Sequence, residues 1–259
     1  METNGWRPDP GKGIFETLLV VAGEPVELDG HLARLRRSLG EVYDVDVPPE
    51  AREELIATAT GIALGRLRLT VTPGEDGLRH DLLAGGVVPE AVFPERGADL
   101  RLHHVRGGRG HHKWVDRRGM EHPDAGPGQL ICDGEELLEA GWANLFAVRE
   151  GTLWTPPLDG RILAGTARAA VLEIAAEDGI ETREQPLCAR ELPGADETFL
   201  TNSVRGIEPA TELDGAPLPG SGPISRRLAA ALRRRWGLTD ASGDPPAPAA
   251  EPQLGQPSR

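Results

Sequence analysis

The first third of the chain alternates between strand-like and helix-like hydrophobic patterns. "GIFETLLVVAGEPVEL" (13–28) predicts two strands joined by a turn at residues 22–24. "GHLARLRRSLGEVY" then has leucines at helical spacing, which predicts a helix with one buried face, capped by Asp29. A second helix is predicted over residues 50–63. "GRLRLTVT" alternates apolar and polar residues, which predicts a half-buried strand.

The rest of the chain is dominated by strand patterns. "AGGVVPEAVFPERG" (84–97) predicts a hinge, and two hairpins are predicted to turn at Asp133-Gly134 and Glu150-Gly151. Two further helices are predicted in "GTARAAVLEIAAEDG" and "SGPISRRLAAALRRRWG". We therefore expect an α+β protein with an N-terminal domain over residues 1–90, a second domain over 91–240 and a disordered tail over 241–259.

Composition narrows the class of protein. The 259 residues suffice for one large or two small domains, and 39% hydrophobic residues support a buried core. No apolar run approaches the roughly 20 residues of a membrane span, and the N-terminus lacks a signal-peptide pattern. With only two cysteines, we expect a cytoplasmic protein. A net charge of −13 argues against nucleic-acid binding, although a few arginines can still collect an anionic ligand locally.

One lysine stands out in "GGRGHHKWVDRR" (107–118). Lys113 is one of two lysines in the chain, the other being Lys12, whereas the remaining basic residues are arginines. Neighbouring cations such as Arg109 and Arg117 lower the pKa of a lysine, which makes its amine a nucleophile toward carbonyl groups and a holder of aldehyde cofactors. The plain alternative is a solvated surface lysine.

The histidines suggest a rival function for the same region. Five of the seven lie within residues 103–122, which could form a metal site. They include two adjacent pairs, however, and on a strand adjacent side chains point to opposite faces, so each pair would supply at most one inward ligand. No H-E-x-x-H motif or cysteine pair supports metal binding, so we expect no metal.

Two other segments carry candidate chemistry. Glu139 in "LEAGWANLF" is either an exposed carboxylate at a strand edge or a buried one, which would need a cationic partner such as a protonated pyridine nitrogen. Gly165 and Thr166 open a predicted helix, where free N–H groups favour a phosphate. Asn202 and Ser203 in "FLTNSVRG" end a strand and offer a second set of donors.

In this order, the segments resemble the fold-type IV enzymes that use pyridoxal 5'-phosphate (PLP), a family that includes branched-chain aminotransferases, D-amino-acid aminotransferases and aminodeoxychorismate lyases. The resemblance covers about residues 13–213 and rests on six segments: "GIFETL", "HLARLRRS", "HHKWVDRR", "LEAGWANLF", "TPPLDGRILAGTAR" and "ETFLTNSVRGIEPA". It implies a small α/β N-terminal domain, a larger strand-rich pseudobarrel domain, PLP between them, and a homodimer.

The resemblance also implies roles for individual residues. Lys113 is similar to the Schiff-base lysine, and Glu139 to the carboxylate on the pyridine nitrogen. The remaining cofactor contacts fall on the phosphate side: Arg34, Gly165, Thr166, Ala167, Asn202 and Ser203.

Within the family, the chain is most similar to the aminodeoxychorismate lyases. Their K-x-x-N-R pattern is nearly matched by Lys113-x-x-Asp116-Arg117, and Phe15 in "FETL" also favours the lyase. That enzyme converts 4-amino-4-deoxychorismate, a small anionic amino compound, to 4-aminobenzoate and pyruvate. Its substrate is a dicarboxylate, so the candidate substrate-binding residues are Arg109, Arg117 and Arg205.

Two alternatives remain open at this point. One is a PLP-dependent aminotransferase of branched-chain or D-amino acids. The other is an inactive family member with a binding role, against which the presence of both Lys113 and Glu139 argues.

Overall fold

The computed structural model describes residues 7–75, 77–117 and 127–238. The predicted tail over 241–259 lies outside these residues, as do Arg118 at the end of the lysine motif and His122 of the histidine group.

The first part of the chain forms a four-stranded antiparallel sheet in the order β2-β1-β3-β4. Its elements are β1 (Ile14–Val21), β2 (Glu24–Pro25), α1 (Leu28–Tyr43), α2 (Ala51–Ala59), β3 (Leu64–Gly74) and β4 (Gly77–Gly86). The leucines at helical spacing in α1 pack with the apolar residues of β3, and Leu35, Leu39 and Leu67 are fully buried. The predicted amphipathic helix and half-buried strand are therefore confirmed.

Three local predictions in this part differ from the structure. Asp29 does not cap α1; it lies inside the first turn and pairs with Arg52, because the helix already begins at Leu28. The second helix ends at Ala59 rather than at residue 63, since Gly61 adopts a left-handed φ of 84° before β3 begins. The sequence pattern does not predict β4, because its inward face is only partly buried and carries His80 between Leu78 and Leu82.

The rest of the chain forms a second sheet whose central strands close into a ring. Six strands pair in the order β8-β12-β13-β5-β6-β7, and β7 pairs back with β8. Along the chain the strands are β5 (Ala98–His104), β6 (Gly128–Asp133), β7 (Glu136–Ala140), β8 (Ala143–Arg149), β9 (Thr152–Thr155), β10 (Thr182–Glu184), β11 (Leu187–Cys188), β12 (Glu197–Asn202), β13 (Gly206–Leu213) and β14 (Ala216–Pro217). The predicted hairpins at Asp133-Gly134 and Glu150-Gly151 are confirmed.

Alternate residues of the ring strands face two different cores. On one face, Phe146 and Phe199 stack with ring centroids 5.1 Å apart and pack against α3 (Thr166–Glu177) and α4 (Pro223–Arg235). On the other face, residues such as Leu145 and Leu200 pack together in a second core. This division follows from the two-residue period of a strand.

The loop after β5 returns to the first sheet and pairs with β1. The Phe15 N–H donates to the Lys113 carbonyl at 2.9 Å, the Val115 N–H donates to the Gly13 carbonyl at 3.0 Å, and Ile14 and Trp114 form a bridge between them. The backbone of Lys113 is thereby fixed against the start of β1.

None of the helices in the described ranges is long and apolar enough to cross a membrane.

Candidate active site

A cavity of about 660 Å³ lies where the two sheets meet. Its walls come from β1, β3, the loop around Lys113, the turn between β7 and β8, the start of α3 and the end of β12. All eleven predicted site residues line it: Arg34, Arg109, Lys113, Arg117, Glu139, Gly165, Thr166, Ala167, Asn202, Ser203 and Arg205. The structure thus brings together residues that lie up to 171 positions apart in the sequence, from Arg34 to Arg205.

Lys113 presents a reactive amine to this cavity. Part of its surface is accessible from the cavity, yet burial of the amine, with repulsion from Arg34 and Arg117, lowers its pKa to about 7. Glu16 acts in the opposite direction but does not outweigh these effects. A substantial fraction of the amine is therefore neutral near pH 7, which is the nucleophilic and proton-accepting form.

Glu139 is a buried carboxyl on the facing wall. It lies on β7 opposite Asn144 of β8, and its Oε2 accepts hydrogen bonds from the Leu163 N–H at 3.1 Å and from Asn144 Nδ2 at 3.4 Å. Burial raises the pKa of Glu139 to about 8, even though the hydrogen bond from Leu163 and nearby Arg117 act to lower it. A carboxyl in this state gains from a cationic partner inside the cavity.

The turn at the start of α3 lies beside Asn144. A Cβ added at Gly165 would lie 2.1 Å from Asn144 Oδ1, so only glycine fits there. Gly165 precedes the first residues of α3, Thr166 and Ala167, where N–H groups have no partner within the helix. These groups and the helix dipole favour a phosphate at this edge of the cavity.

Arg34 is held by a buried carboxylate. Its Nε and Nη2 donate to Glu16 at 2.8 and 2.5 Å, and its Nη1 donates to the Ala164 carbonyl at 2.8 Å. Burial alone would raise the pKa of Glu16, but Arg34 and His31 hold it far below its usual range. Arg34 therefore anchors the loop before α3, and its charge stays beside the turn at Gly165.

His31 extends this network to the same turn. Its Nδ1 lies 2.7 Å from Glu16 and its Nε2 lies 3.1 Å from the Thr166 hydroxyl. Burial lowers the pKa of His31, so a neutral ring that donates from Nδ1 and accepts at Nε2 fits its partners. Sequence reasoning missed Glu16 and His31. The available signals were a carboxylate inside an apolar strand and a histidine one turn before Arg34 on α1.

A second polar segment ends β12. Asn202 donates from Nδ2 to the Trp142 carbonyl at 2.5 Å and accepts from the Val204 N–H at 2.8 Å, while the Ser203 hydroxyl donates to the Thr17 carbonyl at 2.9 Å. These side chains hold the turn that forms this wall. Next to it, Thr201 Oγ1 is buried and has no hydrogen-bond partner among the described residues, so a polar group in the cavity would satisfy it.

Arginines form the remaining wall. Arg66 and Arg68 project from the polar face of β3, and the Arg68 guanidinium lies 3.8 Å from the centroid of the Phe15 ring. Arg117 lies 5.2 Å from the same centroid, and burial lowers its pKa to about 10. Sequence reasoning missed Arg66 and Arg68, although the alternation in "GRLRLTVT" had placed them on the face opposite the core.

Arg205 is paired with a carboxylate. It lines the cavity, but its Nε and Nη2 both donate to Glu208, at 3.0 and 2.5 Å. Its charge is therefore largely balanced within the protein.

The sequence of this chain is similar to those of known proteins. The family model described as amino-transferase class IV matches residues 13–118 and 126–213. A D-alanine aminotransferase of Listeria monocytogenes is 26% identical over 245 residues, 84% of each chain.

Two solved structures are also similar. The 4-amino-4-deoxychorismate lyase of Pseudomonas aeruginosa is 31% identical, with a TM-score of 0.71 over 86% of this chain and 91% of that one. A hypothetical aminotransferase from Mycobacterium tuberculosis in its PLP-bound form has a TM-score of 0.76 at 21% identity, over 87% and 89% of the two chains, and shares the fold.

The raised pKa of Glu139 predicts a pH-dependent stability difference. Between its unfolded pKa of roughly 4.3 and its folded value of about 8, the folded protein binds more protons at this site than the unfolded chain. The contribution of Glu139 is therefore present at low pH and is lost as the pH rises toward 8. In ligand-free protein, Glu139→Gln should become more stable relative to wild type by about 2–4 kcal/mol between pH 5 and pH 8.

Urea unfolding of both proteins at pH 5, 6.5 and 8 measures this difference. Glu177→Gln, at an exposed position on α3, is the matched control and should show a constant offset. A Glu139→Gln offset that is equally constant across the three pH values would show that this carboxyl is ionised throughout.

Proposed function

Because this chain belongs to the class IV aminotransferase family, whose members are PLP-dependent enzymes, we propose that it is a 4-amino-4-deoxychorismate lyase that releases 4-aminobenzoate and pyruvate. The observation that carries this proposal is the group of arginines on the cavity wall: Arg66, Arg68, Arg109 and Arg117. The similarity to the Pseudomonas aeruginosa lyase over most of both chains supports it.

The arginine wall suits a substrate with two carboxylates. A guanidinium binds a carboxylate through two parallel hydrogen bonds, and partial burial strengthens such contacts. A substrate with one carboxylate and an apolar side chain would instead require an apolar wall in the same place. Arg68 and Arg117, both beside Phe15, are the arginines we assign to the substrate.

The residues on the other walls fit PLP. Glu139 offers the pyridine nitrogen a carboxyl that gains from a cationic partner, and the turn at Gly165 offers the phosphate free N–H groups. We assign Lys113 to covalent attachment of the cofactor, and Thr166 and Ala167 to the phosphate. Arg34 contributes its charge while it holds Ala164 in place.

Each of these residues then has a chemical task. When bound, PLP supplies a ring that accepts electrons from the substrate carbon bearing the amine. Once the substrate amine has replaced Lys113 on the cofactor, the freed Lys113 amine, with its pKa near 7, would remove the proton from that carbon as a general base. The bond from the adjacent ring carbon to the enolpyruvyl oxygen then breaks, the six-membered ring becomes aromatic, and the departing pyruvate enol takes up a proton. Glu139 holds a proton at the pyridine nitrogen throughout.

The attachment point can be tested because the chain has only two lysines. Borohydride reduction of the PLP-loaded protein should fix one phosphopyridoxyl group on the peptide that contains Lys113 and none on that of Lys12, as read by peptide mass spectrometry. Lys12→Ala, at an exposed position, should label like wild type, and Lys113→Ala should not label. Label on Lys12 alone would remove Lys113 from its assigned role.

The lyase assignment predicts a specific loss in Arg117→Ala. A charge-assisted contact to a carboxylate is worth roughly 1.5–3 kcal/mol, so kcat/KM for 4-aminobenzoate release should fall about tenfold to a hundredfold while PLP affinity changes little. Arg101→Ala, at an exposed position on β5 outside the cavity, should keep wild-type kinetics.

Assays of 4-aminobenzoate release and of amino transfer distinguish the lyase from the runner-up function. An aminotransferase of branched-chain or D-amino acids is favoured by the similarity to the Listeria D-alanine aminotransferase over 84% of both chains. If wild-type protein transfers amino groups from leucine or D-alanine to 2-oxoglutarate and releases no 4-aminobenzoate, the lyase proposal is wrong.

We further propose that the enzyme acts as a cytoplasmic homodimer. Cys132 and Cys188 are both free thiols, as suits a reducing compartment. Leu83 on the edge strand β4 and Val88 at the cavity wall are 65% and 64% exposed, which suits burial against a second copy. Sedimentation equilibrium should give twice the chain mass for wild type and a lower mass for Leu83→Lys. A wild-type monomer would contradict this proposal.

A further inference from the structure

Outside the cavity chemistry, a second cluster of side chains joins α1 to the loop that precedes Lys113. It consists of Glu41 in the last turns of α1 and of His111 and His112 in the loop. His111 Nε2 lies 2.6 Å from a Glu41 carboxylate oxygen, and His112 Nε2 lies 3.6 Å from the same oxygen. One potential ligand atom from each residue lies within 4.8 Å of the other two.

The adjacent histidines do not diverge as residues of a strand would. They lie in a bend, and their rings are 4.0 Å apart between centroids at an interplanar angle of 49°. The expectation that an adjacent pair supplies at most one ligand therefore does not hold at this position, because both rings reach Glu41.

A hydrogen bond behind the cluster orients one of the rings. His112 Nδ1 lies 3.0 Å from the Ser38 hydroxyl, one turn before Glu41 on α1, so His112 Nε2 is the ring nitrogen directed at Glu41. Metal-binding histidines commonly use their second nitrogen in this way, which fixes the ring and its tautomer.

We propose that Glu41, His111 and His112 form a binding site for a divalent metal ion of the zinc class. Two imidazoles and one carboxylate are an established zinc ligand set, with water as the fourth ligand. Ligand atoms at about 2.0–2.2 Å from zinc stand roughly 3.3–3.6 Å apart in a tetrahedral site, so His112 and Glu41, 3.6 Å apart, already have the required spacing. His111 and Glu41 need to separate by less than about 1 Å, and both are partly exposed and free to do so.

The site has a structural consequence for the loop that carries Lys113. This loop contains three glycines with left-handed φ values: Gly107, Gly108 and Gly110. A metal ion held by His111, His112 and Glu41 would join the end of this loop to α1. The same helix also carries His31 and Arg34. His112 also lines the cavity, so metal binding would stabilise this part of the wall, and it does not depend on which reaction the cavity performs.

The test is zinc titration of the full-length, untagged protein by isothermal calorimetry. We expect one zinc ion per chain in wild type. His111→Ala and Glu41→Gln should each weaken zinc binding at least tenfold, and Ser38→Ala should weaken it less. Zinc should also raise the melting temperature of wild type and leave that of His111→Ala unchanged.

A matched control exists on another surface. His80 Nε2 lies 2.7 Å from Glu54, a histidine–carboxylate pair that belongs to no such cluster among the described residues. His80→Ala should therefore bind zinc like wild type. The proposal is overturned if wild type binds no zinc, or if His111→Ala retains wild-type affinity, since zinc would then occupy another place such as the thiol of Cys132 beside His104.

Discussion

The buried carboxylate of Glu16 is the constraint on which the cavity depends. A charge removed from water must be neutralised, and here Arg34 from α1 supplies the opposite charge while the neutral His31 ring donates a further hydrogen bond. Both partners use their remaining nitrogens on the far side of the cavity, at the Ala164 carbonyl and the Thr166 hydroxyl. One ionic cluster therefore fixes the first sheet to the turn that opens α3, and the removal of any member would leave a buried charge or polar group without compensation.

The neighbouring residue of β1 completes the arrangement. The Phe15 N–H holds the Lys113 backbone, while the Phe15 ring lies near the charged groups of Lys113, Arg68 and Arg117. Successive residues of a strand point to opposite faces, so Phe15 and Glu16 serve two different walls from one short segment. The position of the Lys113 amine and the position of the turn at Gly165 are consequently set by the same strand.

Local patterns predicted much of the fold. Helical spacing located α1, α3 and α4, and Gly-containing turns located the hairpins around residues 133 and 150. Closure of the ring by β7 and β8, and the parallel neighbours of β5, depend on pairings between distant segments that no local pattern specifies. The edge strand β4 was missed for a different reason: its half-buried face carries His80 between Leu78 and Leu82, which weakens the apolar period.

The same difference between local patterns and long-range pairings explains which site residues the sequence could predict. All eleven predicted residues line one cavity, because each segment carried its own chemical signal and the family resemblance joined them. Arg66 and Arg68 were missed, since only the register of β1 and β3, which places Thr17 opposite Arg68, shows that their face is a cavity wall. His111 and His112 were set aside because strand geometry was assumed for a segment that bends.

The arginine wall also affects how a ligand reaches the cavity. The chain as a whole carries a net charge of −13 and repels anions at long range. At physiological ionic strength, however, the screening length is only about 8 Å, so an approaching dicarboxylate is shielded from most of the outer surface and responds to the nearby guanidinium groups. Capture would thus be governed by the local field at the cavity mouth rather than by the overall charge. Added salt would have two opposing effects on the association rate: it would weaken the general repulsion while its anions compete for the arginines.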